Sequence, residues 1–165
     1  MILSKNKIET DSFLDINNDI TRIMNALNND QSIKRFLVYT DTKPLENPTD
    51  VEKDLRDKQI SRVPILPYNE DEGSIIVISF ISGEIDPSTT TMNSTIAIDI
   101  FTPGNQWIIN EGIRPLQIAH AVTNVMRKNL IQTGGVKYRL AGIVNAQLSD
   151  ILLGYRMVFD TVIDD

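Results

Sequence analysis

Two neighbouring stretches of the sequence restrict the fold most, because each has the pattern of a β-strand. Residues 74–82 read SIIVISFIS, an almost wholly β-branched or aromatic run that is typical of a strand buried on both faces. Residues 93–101 place an isoleucine at every second position from 96 to 100, which predicts one apolar face. A loop with Asp86-Pro87 and a Ser/Thr run separates the two stretches, so they are predicted to pair as antiparallel neighbours.

Two other stretches have the apolar periodicity of amphipathic helices. The first is predicted to begin at Ser12 or Asp15 and to continue through Leu27. Asn28-Asn29-Asp30 then interrupts it, and Asp30 is suited to cap a short second turn. The second helix begins at Pro115, whose missing N–H is not needed in a first turn, and runs to about residue 131.

Two further strands are predicted near the end of the chain, over residues 136–143 and 154–163. The link at 144–153 is compatible with a bulge or a short helix. At 165 residues the chain has the size of a single domain, 1–165. The predicted fold is α+β: a mostly antiparallel sheet of about four strands packed against two main helices, in the order α-β-β-α-β-β.

Two segments lack a regular pattern. Residues 1–11 are polar and are predicted to form a flexible N-terminus. Residues 41–73 contain four prolines and two acidic clusters, which excludes one continuous helix or a central strand. Within this segment, Asp50–Ile60 has the composition of a short exposed helix. We therefore predict that residues 41–73 form a long loop, which is either disordered or an interaction arm.

The sequence contains little that indicates catalysis. There is no cysteine, which excludes thiolate nucleophiles and thiolate metal sites. The one histidine, His120, lies within the second helix and is expected to be a packed or solvent-edge residue, because a catalytic histidine needs a nucleophile and an orienting partner. We therefore predict no enzyme, with no catalytic, cofactor-binding or metal-ligating residues and no cofactor.

One acidic set was weighed as a metal site. Glu84, Asp86 and Asp99 lie on or beside the two neighbouring strands, and carboxylates are the ligands that divalent cations prefer. No other residue supplies the remaining ligands, so a solvated sheet face is the favoured interpretation.

The charge balance bears on partners. The net charge of −6 and the pI near 4.8 disfavour tight binding to a nucleic-acid backbone, which needs clustered Lys and Arg. The sequence has no signal-peptide pattern and no apolar run long enough for a bilayer, so a soluble protein without membrane contact is expected.

Apolar side chains in loop segments are the stronger functional signal. Trp107, the only tryptophan, lies between a strand and a helix, where it either caps the core of its own domain or marks an interface. Other apolar residues in the proline-rich segment are too sparse to form a core and are predicted to dock into a neighbouring subunit as an extended arm. These residues are Ile60, Val63, Ile65, Leu66 and Tyr68.

Three segments together resemble a known family. They are TIAIDIFTP (95–103), QWIINEGIRPLQIAHAV (106–122) and YRLAGI…GYRMVFDTVID (138–164). A strand of alternating isoleucines runs through a Pro-containing loop into an amphipathic helix, and a last strand that starts with an aromatic-Arg pair closes the sheet. In this the chain resembles the tail-terminator and tail-completion (head–tail joining) proteins in the neck of tailed bacteriophages.

The resemblance implies a structural virion protein. Such proteins form rings of sixfold or related symmetry between the capsid portal and the tail, in the virion after assembly in the host cytoplasm. The implied partners are other copies of the chain, further neck and portal-side proteins and the tail tube, while DNA passes through the ring without sequence-specific binding. Two alternatives are a small α/β ligand- or peptide-binding adaptor or chaperone module, and a metal-dependent hydrolase built on Glu84, Asp86 and Asp99.

Overall fold

A computed structural model describes residues 3–48, 50–64, 70–85, 92–132 and 137–162. The protein has three α-helices and seven strands in these ranges, two of which form a small separate hairpin. The elements in chain order are α1 (Leu3–Asn29), α2 (Gln31–Val38), β1 (Ile60–Ser61), β2 (Ile75–Ile85), β3 (Met92–Pro103), β4 (Ile108–Ile109), β5 (Gly112–Ile113), α3 (Arg114–Gln132), β6 (Lys137–Gln147) and β7 (Leu152–Val162).

The main sheet has five strands in the order β1-β2-β3-β7-β6. All neighbouring pairs are antiparallel except β1 with β2, and the predicted pairing of residues 74–82 with 93–101 is confirmed. One face of the sheet packs against the three helices in the main core, to which β2 and β3 contribute Ile76, Ile78, Ile96, Ile98 and Ile100. On the other face, Ile75, Val77, Phe101 and Leu152 form a smaller cluster. The fold is therefore α+β, as predicted, with the two-residue strand β1 as an addition.

The helices confirm the predicted break and correct one boundary. Asp30 caps α2, because its Oδ1 accepts a hydrogen bond from the backbone N–H of Ile33 at 2.9 Å. However, α1 begins at Leu3, so the segment predicted as a flexible N-terminus, 1–11, is helical from Leu3 onward. None of the described helices is long and apolar enough to cross a membrane.

Arg114, the first residue of α3, connects the helical layer to the loops around it. Its side chain is 0% exposed. Its guanidinium donates to the carbonyl oxygens of Phe36 (3.0 Å) and Gln106 (2.9 Å), and also to those of Tyr39 and Asp41. Burial lowers the pKa of Arg114, although the nearby Asp41 and Glu111 carboxylates oppose that shift. One side chain thus satisfies carbonyls at the end of α2, which have no partner within the helix.

The predicted loop 41–73 is irregular but packs in part on its own subunit. No helix is present over 50–60, which corrects that prediction, and Val51, Leu55 and Ile60 are buried. Side chains of the helices satisfy the loop backbone: the N–H of Leu55 donates to Asn28 Oδ1 at 2.9 Å, and the N–H of Val51 donates to Gln31 Oε1 at 3.0 Å. The described part up to residue 61 therefore does not extend from the domain as an arm.

The link at 144–153 contains neither the predicted short helix nor a separate bulge. Instead, β6 continues to Gln147, and a short connection leads from there into β7. The backbone N–H of Leu148 donates a hydrogen bond to the carbonyl oxygen of Leu152 across this connection. A bulge does occur earlier, between Leu140 and Gly142. Both closing strands are consequently longer than predicted at the end where they meet.

Replacing Arg114 with methionine should lower the free energy of unfolding by at least about 3 kcal/mol, since each buried carbonyl left without a donor costs about 1–3 kcal/mol. Urea unfolding followed by tryptophan fluorescence measures this, with the exposed Arg127→Met as the matched control, expected to change stability by less than about 0.5 kcal/mol. An Arg114→Met protein as stable as the control would contradict the role assigned to this guanidinium.

Gly154 on β7 should not tolerate a side chain. A Cβ at this position would lie 1.7 Å from the carbonyl oxygen of Ile100 on β3, whereas a Cβ on Gly142 would meet no atom within 4 Å. We expect Gly154→Ala to destabilise the protein by about 3 kcal/mol or more and Gly142→Ala to have little effect. Thermal unfolding of the two variants side by side checks this, and equal melting temperatures would refute the close approach of β7 to β3.

Candidate interaction surface

The strand β6 forms an open edge of the sheet. It pairs only with β7, and in the described part of the chain no strand lies on its other side. Such an edge presents a row of unpaired backbone N–H and C=O groups that another chain can pair with. The opposite edge is formed by the two-residue strand β1 and by the part of β2 that β1 does not cover, whereas β6 is open over eleven residues. The larger open edge is therefore β6.

Apolar side chains are exposed on both faces of this edge. Val144 is 57% exposed, and Ile143, next to it, is 44% exposed. Since successive residues of a strand point to opposite faces, these two side chains lie on different sides of the sheet. Leu140 is also exposed, and the bulge after it places Leu140 and Ile143 on the same face as their partners Phe159 and Met157. The middle of β6 thus exposes large aliphatic side chains on both faces of the sheet.

Trp107 lies next to Tyr155 of β7, the strand that neighbours the open edge. Asn145 of β6 is paired with Tyr155 of β7, and the Tyr155 ring lies 6.1 Å from the Trp107 ring, centroid to centroid, at an interplanar angle of 48°. Trp107 is half-buried, so one side of its ring is covered by its own domain and the rest remains accessible. A role for Trp107 at an interface stays a prediction. What the structure adds is its position beside the open edge.

A cleft of about 400 Å³ lies between α3 and the start of β6. Its walls are apolar, with Met126, Tyr138 and Phe159 drawn from the main core. Its rim is basic. The residues that supply this rim are Arg127, Lys137 and Arg139.

A buried polar network fixes β6 beneath the first helix. Tyr138 Oη donates to Asp19 Oδ2 at 3.2 Å and lies 3.2 Å from Ser94 Oγ, so β6 is connected to α1 and to β3. Burial raises the pKa of Tyr138 to about 12. Burial also raises the pKa of Asp19, while its hydrogen bond from Tyr138 and the nearby Arg22 act in the opposite direction. The start of β6 is held firmly by these contacts.

The other residues predicted to lie at an interface differ in their exposure to solvent. Val63 is 65% exposed, and its neighbour Pro64 lines a shallow cleft together with Val144. Ile60 lies in the main core with no exposed surface, so we withdraw it from the predicted interface. Ile65, Leu66 and Tyr68 fall outside the described residues. Of the residues predicted to lie at an interface, only Trp107 and Val63 are accessible in the described part of the chain.

The acidic set weighed as a metal site does not converge in the described residues. Asp99 is buried and receives two hydrogen bonds from Arg156, at 2.7 and 2.8 Å. Glu84 is paired with Asn93, six residues from Asp99 along β3, which corresponds to about 20 Å. Asp86 lies outside the described residues, and no group of three potential ligands is found within them.

His120 is exposed on α3, and its Nε2 lies 3.1 Å from Asn124 Nδ2. It has the solvent-edge position that the sequence suggested. The pattern of a helical histidine beside an apolar stripe thus places this residue correctly.

The open edge itself was missed by the sequence reasoning. The signal was present in Ile143-Val144, two adjacent large aliphatic residues in a strand that otherwise alternates. Such a pair cannot be buried on one face only, because the two side chains point in opposite directions. It was assigned instead to the boundary between a strand and a link.

Comparison with protein families identifies the family to which the chain belongs. Residues 30–161 match the YomW family, over more than half of the chain. The chain belongs to the YomW family. The matched region begins at the cap of α2 and includes every strand of the sheet. No curated protein and no solved structure matches this YomW chain significantly.

The buried Asp19 carboxyl gives this YomW chain a defined pH dependence. Because Asp19 releases its proton at higher pH in the folded than in the unfolded chain, the folded state binds more protons between the usual pKa of 3.8 and the raised value. The contribution of Asp19 to the free energy of unfolding therefore falls as the pH rises through this interval.

Asp19→Asn should accordingly be as stable as the wild type near pH 4 and equally or more stable at pH 7. Urea unfolding at both pH values measures the difference, with Asp150→Asn, which removes an exposed carboxylate after β6, as the control. If Asp19→Asn is less stable than the wild type by more than about 1 kcal/mol at pH 7, the ionised carboxylate is stabilising and the argument fails.

Proposed function

We propose that this YomW chain is a structural, non-enzymatic subunit of the neck of a tailed-phage virion. In this role it forms a ring as a tail terminator or head–tail joining protein and surrounds the DNA channel. The observation that carries the proposal is the open β6 edge, with unpaired backbone groups and exposed aliphatic side chains on both faces. Exposed apolar surface of this kind marks a site of protein–protein contact.

Family membership supports the phage context. YomW is a phage-type family, and the matched region contains all three segments on which the resemblance to neck proteins depends, apart from the last residues of the third. The order of elements also agrees with that resemblance, with a strand of alternating isoleucines, a Pro-containing helix start and a closing strand that contains the pair Tyr155-Arg156. The proposal for a neck position depends on this agreement.

The charge of the chain fits a channel wall. With a net charge of −6, a ring of these subunits repels DNA instead of gripping it, which allows rapid passage of the genome. The proposed partners are other copies of the chain and the portal-side, neck and tail-tube proteins on either side. The proposed location is the virion, after assembly in the host cytoplasm.

A second candidate function is favoured by one observation. The cleft between α3 and β6 has the concave shape, apolar walls and few polar groups of a ligand pocket, which would suit a small ligand- or peptide-binding adaptor module. Such a module would remain a monomer or dimer and would show a ligand-dependent shift of its melting temperature.

The edge can be tested with a matched pair of variants. Val144→Lys places a charge on the open edge, whereas Leu14→Lys places the same charge at an equally exposed aliphatic residue of α1. Native mass spectrometry and negative-stain electron microscopy, with and without the tail-tube protein, should show rings for the wild type and for Leu14→Lys. Val144→Lys should lose at least about 90% of the rings, because a lysine on an edge strand opposes strand pairing, without a lower melting temperature.

The neck role itself is tested in the phage that encodes the chain. Deletion of its gene should give heads and tails that remain unjoined or tails of uncontrolled length, and the wild-type gene supplied in trans should restore virions. Complete virions from the deleted phage would exclude the neck role. A monomer under all conditions, together with ligand-dependent stabilisation, would favour the adaptor module instead.

A further inference from the structure

The strand β2 has an open half on the side of the sheet opposite to β6. β1 is registered with Ile76 and Val77 only, and within the described residues no strand lies beside β2 over 78–85. Pro64, three residues after β1, lines the shallow cleft that contains Val144, so the chain has by then crossed from the edge onto a face of the sheet. Residues 78–85 therefore form a second open edge, which we call the β2 edge.

The β2 edge exposes large apolar side chains, as β6 does. Phe80 is 38% exposed and Ile81 is 46% exposed. A bulge between Phe80 and Ser82 leaves Ile81 without a partner on β3, much as a bulge follows Leu140 on β6. Of the nine large apolar side chains that are exposed in the described residues, five lie on β2 and β6. The exposed apolar surface is therefore concentrated on the two open edges of the sheet.

The two open edges run in opposite directions. β2, β3, β7 and β6 are successive neighbours, and each pair among them is antiparallel. A second copy that lies beside the first in the same orientation thus presents its β2 antiparallel to β6 of the first. The helices of both copies then remain on the same side, and no copy has to turn over.

We infer that β6 of one copy pairs with the β2 edge of the next, so that copies join head to tail into a continuous sheet. This rests on the proposed function, since it presumes that copies assemble through β6. A two-fold contact between β6 strands would also be antiparallel, but it would leave Phe80 and Ile81 uncovered in both copies and would end at a dimer. The head-to-tail contact covers both edges and closes into a ring when its rotation closes.

β1 limits the register of this contact. Because β1 occupies the position beside the two residues that precede Ile78, the end of β6 at Gln147 reaches no further than Ile78 of the next copy. An antiparallel register that starts from this pair and passes the bulge places Val144 opposite Ser82. Ile81 is the extra residue of the bulge and lies next to this pair. The exposed aliphatic residues of the two strands are thereby brought together.

The orientation of the side chains agrees with this register. Ser82 is paired with Thr95 of β3, and Val144 is level with Asp99 of β3 through their common partner Arg156. Thr95 and Asp99 are four residues apart on one strand and therefore lie on the same face. Ser82 and Val144 thus also share a face, as opposite residues of two paired strands must.

The register is also compatible with a closed ring. Within one copy, Ile143 is level with Ile78 through Met157 and Ile98, whereas Gln147 takes that place in the contact. Successive copies are therefore offset by 147 minus 143, or four residues, which is about 13 Å along the strands for about 19 Å across four strands. This offset tilts the strands by about 35° from the ring axis, close to the tilt of strands in closed sheets.

Disulfide formation tests the register, because the chain contains no cysteine. Full-length Ser82→Cys and Val144→Cys proteins are oxidised alone and as an equal mixture, with and without the tail-tube protein. Opposite residues of antiparallel strands lie about 4.5–5.5 Å apart between their Cα atoms, within the reach of a disulfide. We expect dimers linked from position 82 to position 144 in the mixture, at least about tenfold more than from either protein alone. Leu14→Cys in place of Ser82→Cys is the control and should give no such excess.

A chain that carries both Ser82→Cys and Val144→Cys separates the head-to-tail contact from a two-fold contact. Every copy then has both halves of the contact, so oxidation should give covalent trimers and longer products on a non-reducing denaturing gel. A two-fold β6 contact would instead link position 144 to itself. Its products would end at the dimer, and Val144→Cys alone would form them equally well.

The β2 edge is also tested without cysteines. Ile81→Lys places a charge on this edge and should lose at least about 90% of the rings in native mass spectrometry, since a lysine on an edge strand opposes strand pairing. Its melting temperature should remain unchanged, because the side chain is exposed. Leu14→Lys is again the matched control and should keep its rings.

The outcomes distinguish this inference from the proposed function. Rings that persist in Ile81→Lys, or Val144→Cys alone that cross-links as well as the mixture, would overturn the contact between β6 and the β2 edge and leave assembly through β6 in place. Wild-type rings with no excess of disulfides between positions 82 and 144 would do the same. A wild-type protein that stays a monomer with and without the tail-tube protein would overturn both.

Discussion

The guanidinium of Arg114 joins three parts of the chain that are distant in sequence: the end of α2, the first residues of the irregular segment and the loop before α3. A fully buried cation is costly unless every donor finds an acceptor, and here backbone carbonyls take that role without a buried carboxylate as partner. The arrangement fixes α2 relative to α3. Since both helices pack on the same face of the sheet, it also fixes where that face is covered.

The part of the sheet that the helices leave uncovered forms the candidate interaction surface. The main sheet contributes side chains of β1, β2, β3 and β7 to the main core, together with Tyr138 at the start of β6. From the second half of β6, only Ala146 packs against a hydrophobic cluster, the smaller one around Ile75 and Val77. Tyr138, whose hydroxyl donates to Asp19 of α1, is the residue of β6 that lies buried in the main core. Beyond it, Ile143 and Val144 remain uncovered. An apolar edge strand is a hazard for an isolated protein, which is the physical ground for the proposal that another chain covers it.

Sequence patterns predicted most of the sheet because its strands depend on local alternation. The isoleucines at 96, 98 and 100 are all buried on the helix side, and Asp30 caps α2 as expected. The irregular segment was misjudged because its order depends on distant partners: Asn28 and Gln31 hold the backbone of Leu55 and Val51, and no local pattern reveals such contacts. Ile60 was assigned to an interface for the same reason. Its burial follows from its parallel pairing with Ile76, which only the tertiary fold provides.

The candidate surface, too, can be predicted from the sequence only in part. Charge segregation can be read from the sequence as a stretch without a carboxylate from 112 to 149, but its meaning depends on topology. That stretch forms α3 and the edge strand β6, which are consecutive in the chain and adjacent in space, so a segregation along the chain becomes a segregation across the molecule. The other edge of the sheet carries both signs of charge, because Asp71 and Glu72 line one cleft with Lys53 and Lys58. Strand order therefore decides which part of a charge pattern along the chain lies at an edge of the sheet, and no local sequence pattern reveals that order.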